Sequence, residues 1–318
     1  MLKKSLMLVC IALFVLAAGC GKEPPKQDAP AKNGAMPPLS VGLMPDTDSV
    51  PFIVAREKGY FAEEGVEVTL HPFKSAMDRD AALQSGQLDG AVSDLLAAAF
   101  ASAGGFDIRV TSSTDGAFQM IAGKGNEAAD VRALSGAEIA VSRNTIIEYV
   151  TDRILKENGM AADALQKVSI PQIPARLEML QNGKLPAATL PEPMASVAVA
   201  NGCKLLAGSG ALGINPGVML FSTKAAADKK ESLKAMYRAY NKAVEYLKKT
   251  PREKYIGMVV EKSGFPAAAK DALKMPDYRA AALPKESDVT EVMHWLKEKD
   301  LIQQEYTYQE IVTGDFLP

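Results

Sequence analysis

Histidine, tryptophan and cysteine are scarce in this chain: two, one and three among 318 residues. His71 precedes Pro72 in or near a strand, and His294 adjoins Trp295 on a C-terminal helix, so the two support neither a histidine-based metal site nor a triad. No P-loop, H-E-x-x-H, G-x-S-x-G or paired C-x-x-C occurs. "GSGALG" (208–213) has the letters of a dinucleotide loop, but Asn215-Pro216-Gly217 stops any helix that would follow, so it reads as a turn. No pair of acids is spaced persuasively for acid–base work. Neither a cofactor, a metal nor catalytic residues are expected. Excess charge is also missing. The formal net charge is −2, without a concentrated basic face, which argues against nucleic acid as a partner.

Long apolar runs are missing too. The longest, Leu6 to Ala18, falls short of the ~20 residues a membrane-spanning helix needs and suits a secretory signal. Lys3 and Lys4 precede it, and Ala17-Ala18-Gly19 lead into Cys20. This seam resembles a bacterial lipobox, although the large aliphatic residue, Leu16, sits one place early. Residues 1–19 are therefore read as a lipoprotein signal peptide and Cys20 as the lipidated residue; plain secretion with an incidental cysteine is the alternative. Residues 20–38, rich in Pro, Lys, Ala and Gly, read as a disordered tether, able to stretch ~50 Å at ~3 Å per residue. The expected location is the cell membrane, lipid-anchored on the extracytoplasmic side. Only Cys203 then remains in the folded part, which rules out an internal disulfide and suits a small buried residue.

From Leu39 onward, short β-rich runs alternate with helical stretches, as in an α/β fold built on mostly parallel sheets. The plan occurs twice. "LQSGQLDGAVSD" begins at Leu83 and "LQNGKLPAATLP" at Leu180, an offset of 180 − 83 = 97. Strand–helix–strand–helix–strand recurs at nearly this spacing, with "NTIIEYVTDRILKENG" as one helix, opened by a Thr145–Glu148 capping box and stopped by Gly159. Two related lobes follow: 39–118 with 220–318, and 119–219. The chain would cross between them near Gly116–Met120 and Pro216–Phe221, with the tail packed on the first lobe. Leu233, Met236, Tyr237, Tyr240, Val244 and Leu247 form a core-facing helical stripe.

In open parallel sheets, ligands sit beyond the carboxyl ends of the strands, where helix N-termini offer unpaired N–H groups. That rule selects Asp46, Thr47 and Ser49 after the first strand, Ser75 after the second, Ser93 and Asp94 after the third, and Asp115 after the fourth. In the second copy it selects Ser142, Arg143, Asn144, Thr145, Gln172 and Glu192. Each has a plainer reading: Ser75, Ser93 and Thr145 can cap helices, and Asp46 and Asp48 can belong to a turn. Their common placement at one edge of two sheets is the stronger argument.

"VGLMPDTDSVPFIVAREKGYFAEEGVEVTL", above all A-x-E-K-G-Y-F-x-x-E-G-V-x-V from Ala55 to Val68, resembles the periplasmic solute-binding proteins of the nitrate, sulfonate and taurine ABC importers, a family that includes binders of the thiamine pyrimidine precursor. "IAVSRNTIIEYV" and "ATLPEPMASVA" are similar to later blocks of that family. The resemblance implies a two-lobed, type II-like periplasmic-binding-protein fold with a two-segment hinge. It implies a monomer, not an enzyme, that closes on a small polar solute and delivers it to an ABC permease and ATPase. Sulfonates, nitrate-like anions, aromatic acids and pyrimidines all suit it. Arg143, at a helix start, is the first candidate for an anionic head group, and Arg176 the second if its helix faces the cleft; Phe52 and Phe118 are candidates for stacking on the ligand and equally for ordinary core positions. A small-metabolite enzyme on the same fold and an extracellular sensor domain are the alternatives.

Overall fold

The computed structural model describes residues 36–318. The expected signal peptide, Cys20 and most of the tether lie outside the described residues. Of the tether, Pro37 and Pro38 are held by their carbonyls, which accept from Ser232 Oγ and Lys229 Nζ.

Ten strands form two separate five-stranded sheets. The first contains β1 (Leu39–Leu43), β2 (Val68–Pro72), β3 (Gly90–Asp94), β4 (Ile108–Ser113) and β10 (Gly217–Ser222), in the order β2-β1-β3-β10-β4. The second contains β5 (Phe118–Ala122), β6 (Glu138–Val141), β7 (Gln166–Ser169), β8 (Ala187–Pro191) and β9 (Lys204–Gly208), in the order β7-β6-β8-β5-β9. In each sheet one strand, β10 or β5, runs antiparallel to both neighbours, and the other pairings among the first three strands are parallel.

The duplication extends to the register. Val41 faces Gly90 in the first sheet, as Ile139 faces Ala187 in the second. The register slips between Met219 and Leu220 where β10 meets β4, and between Met120 and Ile121 where β5 meets β9. A bulge conserved at both places is hard to obtain by chance, because each is a specific local kink. The central strands "GAVSD" and "AATLP" are buried throughout, as strands with helices on both faces must be.

The helices that matter follow the strands. α1 (Val50–Glu57) and α2 (Ala76–Gln84) follow β1 and β2, and α3 (Leu95–Ala103) follows β3. Their counterparts in the second copy are α4 (Ile146–Glu157), α5 (Ile173–Gln181) and α6 (Met194–Ala200). Ser75 caps α2 by accepting from Asp78 N, and Gly86, at φ 77°, ends it in the left-handed region. Pro174 opens α5 in its first turn and Gly183, at φ 66°, ends it. At the start of α4, Thr145 accepts from Ile147 N, but Glu148 takes the Asn144 N–H rather than that of Thr145. Asn144 sits at φ 57°, a turn that sends its own N–H toward the glutamate.

The long helix α7 (Lys230–Lys249) buries all six residues of the expected stripe. Tyr237 reaches Thr111 and Ser112 on β4, and Tyr240 packs 5.0 Å from Phe52, which places Phe52 in the core between α1 and α7. The tail touches both sheets' surroundings. Val312 bridges Val110 on β4, while α8 (Glu286–Glu298) sends Trp295 Nε1 to Asp152 on α4. Among the described residues, no helix is long and apolar enough to cross a membrane.

Candidate functional site

The two segments that join the sheets, between β4 and β5 and before β10, lie side by side. Asn215 Nδ2 donates to Thr114 O at 2.5 Å, and Thr114 N donates to Gly217 O at 3.0 Å. The loop after β1 packs against both. A Cβ on Gly116 would fall 1.8 Å from Asp48 Oδ2, and one on Gly217 would fall 2.9 Å from Asp48 Oδ1, so both positions need the missing side chain.

Beside this junction, between the carboxyl ends of the two sheets, lies a cavity of about 40 Å3, counted as space open to the centre of a water molecule. One water needs ~10–15 Å3 on that measure, so the space suits a few waters or a compact solute. Its walls combine an apolar majority, including Met44, Phe118, Ile146 and Ile147, with a polar set drawn from both copies: Asp46, Asp48, Arg79, Ser93 and Asp94 from the first, Ser142, Thr145 and Arg176 from the second.

Of the residues selected from sequence, Asp46, Ser93, Asp94, Ser142 and Thr145 meet in this cavity. The others stand around it. Thr47 links the copies: its N–H donates to Glu192 O at 2.9 Å, and its carbonyl accepts from Tyr278 Oη at 2.8 Å. Ser49 donates to Asp46 Oδ1 and accepts from Met44 N, pinning the loop. Ser75 is engaged with Asp78. Gln172 Nε2 also donates to Asp78, from across the gap, at 3.1 Å. Asp115 holds the backbone N–H and the guanidinium of Arg279 in the tail. Glu192 takes the Ser196 N–H. Arg143 and Asn144 are exposed, and Arg143 Nη2 donates to Lys167 O at 2.7 Å. Phe118 reaches the cavity; Phe52 does not.

Arg79 was absent from the sequence selection. Its signal was present, because the 97-residue alignment that pairs Leu83 with Leu180 also pairs Arg79 with Arg176. Each is the fourth residue of a nine-residue helix.

Electrostatics divide the cavity. Burial pushes the Asp46 carboxyl up to about 6, against the pull of Ser49 and Arg79. Burial and then the neighbouring Asp46 charge drive Asp48 well above the ordinary range. Burial also raises Asp94 and Glu192. Arg79 is buried, but Asp80 at 2.8 Å and Asp94 at 3.8 Å keep its charge in place, and its pKa stays raised despite burial. Arg176 is 0 % exposed, and burial alone lowers it to about 9. Its Nη1 donates to Ile170 O at 2.7 Å; Nε and Nη2 have no partner, and neither does Ser93 Oγ. Among the described residues, no group of His, Cys, Asp or Glu is arranged to hold a metal.

A family model described as the NMT1-like family matches residues 32–260. No curated protein sequence matches the chain. Among solved structures, the alkanesulfonate-binding protein SsuA from Xanthomonas axonopodis pv. citri, bound to MOPS, is similar over 88% of this chain and 99% of its own, with a TM-score of 0.75 and 17% identity. The ligand-binding component of an ABC-type import system from Staphylococcus aureus, with zinc bound, matches 88% of this chain and 97% of its own, with a TM-score of 0.73 and 16% identity. The periplasmic nitrate-binding protein NrtA from Synechocystis PCC 6803 matches 88% and 86%, with a TM-score of 0.69 and 13% identity. The chain shares their two-lobed α/β fold.

Proposed function

The chain belongs to the NMT1-like family, and from that premise we propose that it is an extracytoplasmic solute-binding protein that closes on a small polar solute and delivers it to an ABC permease and its ATPase. The lobes are those expected, 39–118 with 220–318 and 119–219, with the bounds shifted by one residue at Phe118, which opens β5 of the second sheet, and by three at Gly217–Met219, which open β10 of the first. The paired segments around Thr114 and Asn215 are the hinge. Cys20 carries the lipid that anchors the protein at the membrane.

One observation carries this reading. Unpartnered polar atoms from both copies, Ser93 Oγ and Arg176 Nε and Nη2, belong to residues lining one cavity between the sheets. A buried donor without a partner costs free energy, on the order of 1–3 kcal/mol, that a ligand can recover. A ligand touching both lobes also favours closure, since only the closed state offers both sets of contacts. The bonds Thr47 N to Glu192 O, and Ile173 N to Lys74 O at 3.1 Å, join the two copies, which supports reading this form as the closed one. The walls contain neither histidine nor cysteine, which suits holding a solute better than nucleophilic chemistry on it.

The test is small-angle scattering with thermal denaturation on the protein stripped of solute, before and after adding back what co-purifies. Contraction and a raised Tm are expected. A radius of gyration that no added solute changes would overturn the reading. Cys20→Ala is expected to abolish incorporation of labelled fatty acid.

A further inference from the structure

Arg79 and Arg176 hold the same place in the two copies and are supplied with different counter-charges. Arg79 has Asp80 and Asp94. At the positions 97 residues on from those two acids, the second copy has Leu177 and Pro191. The second copy has the arginine without either acid. The result is a fully buried guanidinium whose charge no acid among the described residues offsets. A buried cation left in that state is strongly unfavourable, so its retention calls for an anion that arrives from outside.

The bonding pattern narrows the anion. Nη1 is occupied by Ile170 O, which leaves Nε and Nη2. These form the side-on edge of the guanidinium, two parallel donors that match the two oxygens of a carboxylate. Asp46 on the first copy's wall, ionised above about pH 6, repels further negative oxygens, which counts against dianions and against head groups with charge spread over three oxygens. Met44, Phe118, Ile146 and Ile147 call for an apolar body behind the head group rather than a bare inorganic ion. We infer that the solute is a compact organic monocarboxylate, held by the Nε–Nη2 edge of Arg176 with Ser93 Oγ contributing from the other lobe. This rests on the receptor reading above. Arg143, hydrogen-bonded to Lys167 O on the surface, is not part of the grip.

The test uses matched probes on the mature protein, stripped of bound solute: propionate and benzoate, the corresponding ethanesulfonate and benzenesulfonate, the amides propionamide and benzamide, and nitrate. Affinity is read by calorimetry and closure by scattering. The expected order is carboxylate, then sulfonate, then amide, with nitrate weak. Arg176→Met, which removes the charge and keeps the length, is expected to lose about a hundredfold in carboxylate affinity, since it deletes one side of a buried charge pair, and to weaken amide binding by less than about tenfold, since only neutral hydrogen bonds are lost there. Its solute-free Tm should equal or exceed that of the wild type. Should that variant fail to fold, Arg176→Lys keeps the charge without the fork and is expected to cost about tenfold. Arg143→Ala should bind as the wild type does. A sulfonate or neutral probe preferred by the wild type, or an Arg176→Met protein that binds carboxylates normally, overturns the inference and leaves the receptor reading standing. A wild type that neither binds nor contracts with any of these probes also overturns the inference, and only a further failure with the co-purifying material removes the receptor reading.

Discussion

The helices α2 and α5 occupy the same place in two copies of one plan, and their fourth residue is arginine in both. In the first copy the arginine is a structural ion, 3.8 Å from the carboxylate that caps α3 and 2.8 Å from its own neighbour, Asp80. In the second copy it is 0 % exposed and, among the described residues, its hydrogen-bond partner is one carbonyl. The helix position is shared, but Arg79 Nη1 meets Val92 O on β3 and Arg176 Nη1 meets Ile170 O beyond β7, so the difference lies in aim as well as in two substituted neighbours. A duplicated lobe can thus be turned from self-contained to ligand-demanding by removing counter-charge, without building a new site.

The comparison breaks most directly at Asp94. Asp94→Asn can still cap α3 but no longer carries the charge that helps hold Arg79. Losing one partner of a buried pair costs ~3–5 kcal/mol, and because Asp80 remains, the low end, about 3 kcal/mol, is expected. Urea denaturation measures it; a loss under about 1 kcal/mol would mean Asp80 suffices alone. The converse change gives the second copy what it lacks. Pro191→Asp places a carboxylate at the position matching Asp94, beside Arg176. It should raise the Tm of the solute-free protein and lower affinity for a bound carboxylate about a hundredfold, equivalent to ~2.7 kcal/mol. Unchanged affinity, measured by calorimetry, would show that the two settings are not interchangeable.

The loops before α1 and α4 sharpen the same contrast. Asp46-Thr47 in the first copy corresponds to Asn144-Thr145 in the second, an offset of 98 fixed by the pairing of Val41 with Gly90 and of Ile139 with Ala187. Asp46→Asn makes the first copy resemble the second. Burial raises the folded-state pKa of Asp46 to about 6, from 3.8. The folded state therefore binds more protons than the unfolded chain between those values, and stability falls as pH rises through that window. The asparagine variant escapes this loss. It should be more stable than the wild type by up to about 3 kcal/mol at pH 7, with the gap closing below pH 4. A gap independent of pH would place the effect in packing.

Much of the fold was legible because duplication left literal traces. L-Q-x-G-x-L recurs at the turns that end α2 and α5, where Gly86 and Gly183 both take positive φ. Strand ends could be located from pattern, and five of the selected residues meet in the cavity. What pattern could not supply was direction. Arg143 follows β6 at a promising helix start, yet the turn at Asn144, φ 57°, leaves it exposed with its guanidinium on Lys167 O. Arg79 lies mid-helix among polar residues and reads as surface until the packing of α2 against β3 is known, where its Nη1 meets Val92 O. Counter-charge is likewise a three-dimensional property: Asp94 lies 15 residues from Arg79 in sequence, 94 − 79, and next to it only once β3 and α2 have docked.

The smallest expected effect concerns how the tail treats the two copies. Val54 on α1 and Asp152 on α4 correspond at the same offset of 98. Val54 is buried in the apolar core with α7, whereas Asp152 accepts from Trp295 Nε1 at 3.1 Å and pairs with Lys299 at 3.0 Å. Trp295 also packs edge-on against Tyr149, 5.5 Å between ring centres. Through α8, which also packs on α3, the tail is therefore a second strap between the lobes beside the hinge. Trp295→Phe keeps most of the ring packing and removes the hydrogen bond, costing about 1 kcal/mol. Because the lost bond joins the lobes, its loss should act on the open–closed balance as well as on unfolding. In the solute-free protein, scattering should show a larger mean radius of gyration for the variant, and saturating solute should restore the wild-type value. Equal radii in both states would assign Trp295 to global stability alone.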